Sequence, residues 1–160
     1  IESPTPEDAY FIAKAQYFSG AYDDALVGLA AAAEDGYEDA YYYIGEIYHE
    51  RSDYGEAIHY FKLYVAGSGA RDAAAYNQMA ICLMKQEKYE DALETVRSGQ
   101  KLSDALHGRQ LLFNEIVILE KTGEYNAAYE RAVEYRNRYP EDTKIKRELE
   151  FLASRVREES

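Results

Sequence analysis

Tryptophan is absent from this 160-residue chain, cysteine occurs once, methionine twice and proline three times. A single cysteine, Cys82, excludes an internal disulfide framework without choosing a compartment. Scarce proline beside 47% apolar and 30% charged residues predicts a chain folded through most of its length, with no disordered module. No apolar run approaches the roughly 18–20 residues of a membrane span, so none is predicted. The opening residues lack the charged and apolar regions of a signal peptide. Ile1 is no natural initiator, which fits trimming from a longer or processed protein. The compartment stays open between cytoplasmic and an exported or surface-anchored soluble domain.

Basic charge is also short, at 18 Lys/Arg against 30 Asp/Glu, a net charge of −12. The deficit is local. Residues 1–70 carry 3 Lys/Arg against 13 Asp/Glu, whereas residues 131–160 carry 8 against 7. Nucleic-acid binding needs Lys and Arg to neutralise phosphates, so a duplex would be repelled and no nucleic-acid partner is expected. An acidic field suits a solvated surface or the attraction of a basic partner.

What the chain has is repetition. Gly20-Ala21-Tyr22-Asp23-Asp24-Ala25-Leu26 returns as Ser52-Asp53-Tyr54-Gly55-Glu56-Ala57-Ile58, as Glu87-Lys88-Tyr89-Glu90-Asp91-Ala92-Leu93 and as Gly123-Glu124-Tyr125-Asn126-Ala127-Ala128-Tyr129. The alanines stand 32, 35 and 36 residues apart. Four copies of one turn at that spacing predict an array of helical hairpins, each burying its apolar face on the next.

Local signals place the helices. After a loose lead-in from Ile1 to Pro4, Thr5 can cap, Pro6 suits the first helical position, and Glu7 and Asp8 suit the positive helix end. This first helix runs to about Ser19, with Ala9, Ile12, Ala13, Gln16 and Tyr17 along one side. A second helix from about 22 ends near Glu34, where Asp35-Gly36 breaks it. Further helices are expected near 38–51 and 54–66, 72–86 and 89–101, and 104–122 and 125–139. Gly67-Ser68-Gly69 is the loosest junction. Pro140 stops the eighth helix, and Asp142 or Thr143 can cap a ninth running to about Arg157.

These residues resemble the tetratricopeptide repeat family over essentially the whole chain. The family's most constant small residue is matched by Ala25, Ala57, Ala92 and Ala128, and its small site on each first helix by Ala13, Gly45 and Ala80. Bulky positions carry Ile12, Ile44 and Met79, with Tyr41 and Tyr76. Close helix crossing needs a small side chain to admit a large one. The fold the resemblance implies is all-α. It is a right-handed α-solenoid of four hairpins, at about 6–37, 38–72, 73–103 and 104–140, with a capping helix at about 142–158, all in one domain.

Repeat four departs from the pattern. Glu115 stands where the others have Ile12, Ile44 and Met79, and Ile116 where a small residue belongs. A bare carboxylate in that core is costly, so the extra residues near Ser103-Asp104 are expected to turn Glu115 to solvent. Tyr64 and Tyr135 also replace a small residue late in their helices.

The resemblance further implies that the first helices line a concave groove. The matching positions are Tyr10, Lys14, Tyr17, Tyr42, Tyr43, Glu46, His49 and Glu50, then Asn77, Gln78, Ile81, Met84 and Lys85, and finally Phe113, Asn114, Val117 and Lys121. Eleven of the 17 tyrosines lie within residues 1–70, making that half of the groove aromatic and acidic. Tyrosine serves a partner surface because it buries a large area at low entropic cost and keeps a hydroxyl. Whether Tyr10, Tyr17, Tyr42 and Tyr43 bind or only pack stays open. The family's clamp for chaperone-tail carboxylates is not matched, since Tyr10, Lys14, Tyr43, Ala74 and Gln78 hold its places in one frame.

No catalytic pattern emerges. His49, His59 and His107 are separated, no Gly-rich phosphate loop occurs, and Cys82 sits among Ile81, Leu83 and Met84 as a buried, inert thiol. Neither a metal site nor a cofactor is expected. The reading is a non-catalytic scaffold for a protein or peptide segment, basic or aromatic-rich. The alternative is a structural or self-association module of a larger protein, and binding of a saccharide or small aromatic ligand is a third. The oligomeric state is left open.

Overall fold

The computed structural model describes residues 3–158, the side chains of Arg157 and Glu158 aside; Ile1 and Glu2, part of the lead-in, lie outside them. The described residues form helices and no strand: α1 Pro6–Phe18, α2 Tyr22–Glu34, α3 Ala40–Glu50, α4 Tyr54–Ala66, α5 Ala73–Lys85, α6 Tyr89–Gln100, α7 Gly108–Lys121, α8 Tyr125–Arg138 and α9 Ile145–Glu158. Consecutive helices pair as antiparallel hairpins α1/α2, α3/α4, α5/α6 and α7/α8. The second helix of each hairpin packs on the first helix of the next, and α9 packs on α8. The result is an α-solenoid of four hairpins and a capping helix.

The turn inside each hairpin has one geometry. Gly20, Ser52, Glu87 and Gly123 all adopt a positive φ, at 81°, 59°, 57° and 80°. In each turn the next N–H reaches back five residues to a helical carbonyl: Ala21 to Gln16, Asp53 to Tyr48, Lys88 to Leu83 and Glu124 to Leu119. That left-handed residue with its long-range bond is the Schellman stop, which glycine adopts freely and serine or glutamate only under strain. The next residue pair starts the second helix.

Interior packing follows the small residues. Ala25, Ala57, Ala92 and Ala128 are fully buried. A Cβ on Gly45 would meet the Phe61 ring at 2.9 Å, and one on Gly28 would meet Ala13 Cβ at 2.7 Å. Glycine is the residue that lets α3 and α4, or α1 and α2, cross this closely. Thr5 caps α1 with the reciprocal Thr5–Asp8 bonds of a capping box.

Three sequence expectations change. Ile12 is 51% exposed, whereas its counterparts Ile44 and Met79 are buried. Those two lie on helices that a preceding hairpin covers; among the described residues no hairpin covers α1 in that way. Next, α7 begins at Gly108, not near 104. Asp104 Oδ1 accepts the His107 backbone N–H at 2.8 Å and faces its Nδ1 at 3.1 Å, which closes a separate turn ahead of the helix. These bonds hold the Asp104 carboxyl below its ordinary range. Finally, Glu115 does not reach solvent. It is 2% exposed, accepting from Gln100 Nε2 at 2.9 Å and Arg97 Nε at 3.4 Å, with Arg131 Nε 3.7 Å away. Neighbouring helices bring donors to the carboxylate, so it stays inside without being bare.

Tyr64 and Tyr135 replace small residues for a shared purpose that the sequence did not reveal. Tyr64 Oη donates to Asp72 Oδ2 at 3.0 Å, and Tyr135 Oη donates to Asp142 Oδ2 at 2.5 Å. Each aspartate also begins the next helical segment by accepting a backbone N–H, from Ala74 and Lys144 respectively. The tyrosine thus ties the end of one hairpin to the entry of the succeeding helical segment.

Candidate partner-binding groove

The first helices stand side by side, α1 packing on α3 and α5 on α7, with α3 and α5 joined by a side-chain hydrogen bond, and the residues of the expected groove lie on these four helices. At the N-terminal end they pack on one another. Tyr10 is buried and stacks on Tyr37, with ring centroids 5.0 Å apart and an interplanar angle of 22°. Lys14 Nζ lies 5.3 Å from the Tyr10 ring centroid and 5.2 Å from that of Tyr43, satisfying the ammonium by cation–π attraction. Tyr17 meets Tyr43 edge-on at 5.1 Å, and Tyr43 meets Tyr42 at 5.6 Å and 88°. Tyr42 continues to Phe61 and Tyr64. The edge-to-face geometry is what ring quadrupoles favour.

Burial, and then neighbouring acidic and phenolic groups, push the hydroxyls of Tyr10 and Tyr17 up to about 12 and that of Tyr42 higher still. All stay neutral hydrogen-bonding groups near pH 7. Tyr10 is therefore mainly a packing residue, while Tyr17, Tyr42 and Tyr43 present partial edges.

Beyond the aromatic section the floor becomes a polar ladder. Gln78 Nε2 donates to Glu46 Oε1 at 2.8 Å, joining repeats two and three. Asn114 Nδ2 donates to Asn77 Oδ1 at 2.8 Å, joining repeats three and four. Burial raises the Glu46 carboxyl above its ordinary value, against the lowering effect of the Gln78 bond. His49 lies half-buried with its Nδ1 free of hydrogen bonds and its ring 6.0 Å from Tyr54; Glu50 and Lys85 are exposed.

Two hollows open along this section. One, of about 500 Å³, is lined by Asn77, Gln78, Ile81 and Asn114 together with Arg109, Gln110 and Lys144. The other, of about 270 Å³, sits over Ile81, Met84 and Val117 between Lys85 and Lys121. Nothing in the repeat register marks Arg109 and Lys144, because one lies at the start of α7 and the other just before α9. Arg109 stacks on Tyr139, 4.7 Å from the ring centroid, and pairs with Glu141 at 2.5 Å.

The described residues contain no group of three or more His, Cys, Asp or Glu able to hold a metal ion. Cys82 is fully buried, and desolvation pushes its thiol up to about 12. No helix among the described residues is long and apolar enough to cross a membrane.

No protein-family model and no curated protein matches the chain. Solved structures do. PilF of Pseudomonas aeruginosa superposes with a TM-score of 0.76 at 17% identity, over 96% of this chain and 69% of its own. MamA of strain AMB-1 gives 0.78 at 13% identity, over 94% and 82%. MamA of Desulfovibrio magneticus RS-1 gives 0.73 at 17% identity, over 88% and 78%. Both are tetratricopeptide-repeat proteins. This chain has the tetratricopeptide-repeat fold. Identity this low leaves the groove residues of the array to be judged on their own geometry.

Proposed function

We propose that the tetratricopeptide array is a protein-interaction scaffold that takes an extended protein or peptide segment along its groove, contributing no catalysis of its own. The observation that carries this reading is the continuity of the surface. Aromatic edges of Tyr17, Tyr42 and Tyr43 lead into the Glu46–Gln78 and Asn77–Asn114 rungs, and these border the 500 Å³ hollow. Amide side chains can exchange their mutual bonds for bonds to a peptide backbone, while flanking apolar and aromatic groups bury its side chains. The acidic field of residues 1–70 favours a basic or aromatic-rich segment at that end and disfavours nucleic acid.

A photo-crosslinking residue placed at Gln78 or Ile81, with the same residue at the exposed Glu94 of α6 as control, tests the groove. Adducts with a protein partner are expected from the first two positions and not from the third, with yields that fall as salt rises. Equal adducts from all three would overturn the assignment.

One observation favours a second reading, self-association. Phe11, Phe18 and Val27 join Ile12 as exposed apolar side chains on the first hairpin. Association of copies through that end predicts a mass that rises with concentration and falls on Phe11→Ser/Phe18→Ser substitution.

A further inference from the structure

The largest break in the repeat pattern is also the centre of a basic cleft. Glu115 lies at the floor of a hollow of about 430 Å³ that opens between the second helices of hairpins three and four. Its walls carry Arg97 and Lys101 on one side and Arg131 and Arg138 on the other. Against these four cations stand two carboxylates, Glu115 and Glu134. The excess is positive in a chain whose net charge is −12.

Neutralising a buried carboxylate does not account for all of it. Gln100 Nε2 and Arg97 Nε satisfy Glu115 directly, with Arg131 Nε as a further ion-pair partner. Arg97 bonds Glu115 through Nε, and its side chain, which lines the hollow, is 55% exposed. Arg138 engages Glu134 through Nη1 alone, at 3.4 Å, and Lys101 makes no ion pair among the described residues. Glu115 holds Arg97, and Glu134 holds Arg131 at 2.5 Å and Arg138 at 3.4 Å, so a ligand would lose little further side-chain entropy in ordering them.

We propose that this cleft is a second binding site, distinct from the groove, and that it receives an acidic protein segment presenting several carboxylates. The placement of its cations on two walls selects a segment over a single small anion. Glu134 already bridges Arg131 and Arg138 on the α8 side, at 2.5 Å and 3.4 Å, while Arg97 and Lys101 stand on the opposite side, so a ligand reaching all four must carry more than one carboxylate. Planar guanidinium forks pair bidentately with carboxylates. Departures from a local pattern concentrate where function constrains a sequence, and Glu115 is the largest departure in this array.

A fluorescently labelled hexaglutamate peptide, compared with hexaglutamine at equal low ionic strength, tests the site. The protein should bind hexaglutamate and not hexaglutamine, and the Nε–Hε resonances of Arg97 and Arg131 should shift during the titration. Lys101→Glu/Arg138→Glu, at two exposed positions, should weaken binding by roughly tenfold or more with an unchanged thermal midpoint. Gln78→Ala in the groove should leave it unaltered, which separates this site from the groove reading. Absence of hexaglutamate binding, equal affinity in the double variant, or unmoved arginine resonances would each overturn the proposal.

Discussion

The first hairpin and the last are built on the same turn and the same buried alanine, yet one ends in solvent and the other under a lid. At the N-terminal end Ile12, Phe11 and Phe18 are exposed, Phe18 by 71%. At the C-terminal end Ile145, Leu149 and Leu152 of α9 close over Leu112, Ile116, Leu119 and Tyr135. A repeat unit cannot cover its own outer face, so burial at any repeat position depends on the neighbour before or after it. Identical register gives identical packing in the interior and opposite exposure at the ends.

The largest test of this contrast is truncation at the two ends. Leu152→Ala should cost about 2–5 kcal/mol in denaturant unfolding, while Ile12→Ala should stay within about 0.5 kcal/mol. Similar losses would break the comparison. The interiors should instead behave alike: Ala57→Leu and Ala128→Leu should each overpack a hairpin crossing and cost about 1–3 kcal/mol. Asp53→Ala in the second turn should be much milder, since its cap bond to Glu56 N is a long 3.4 Å. Different costs for the two alanines would mean that the halves differ inside as well.

Removing the phenolic hydroxyl sharpens the view of the junctions. Tyr135→Phe and Tyr64→Phe should each lose about 1 kcal/mol, read as a fall in thermal midpoint. In the hairpin turns, Ser52→Gly and Glu87→Gly should gain about 0.5–1 kcal/mol, because glycine relieves a left-handed backbone that a side chain resists.

One further effect is specific to the capped end. Burial, together with the charge of Glu148 on α9, raises the Glu120 carboxyl to about 7. An acid raised in the folded state favours folding fully below its unfolded value of about 4.3, and that contribution is lost as pH rises toward about 7. Stability of the capped end should therefore decline across this window, and Glu120→Gln should flatten the decline. A wild-type profile as flat as the variant's would remove the carboxyl pair as its cause.

Much of the array was legible because repetition supplies its own controls. Four alanines in one register announced four close crossings, and all four are fully buried. Thr5 and Gly20 marked the bounds of α1 through local bonds that involve only nearby residues. Glu115 was not legible, since its burial depends on Arg97 and Gln100, 18 and 15 residues away, and on Arg131 from another helix. The Tyr135–Asp142 tie and the contributions of Arg109 and Lys144 to the groove likewise fall outside the repeat. The aromatic residues were found but not their arrangement: Lys14 sits over three rings from two helices, Tyr10 and Phe11 of α1 and Tyr43 of α3.

By itself the sequence determined the helical period, the hairpin turns and the small residues that set the crossings, because these depend on backbone preference and side-chain size within a few turns. Tertiary structure alone decided which groups meet water, which carboxylate finds its donors and where hollows open. Exposure, ion pairing and cavity shape are properties of neighbouring helices brought together, and no single repeat encodes them.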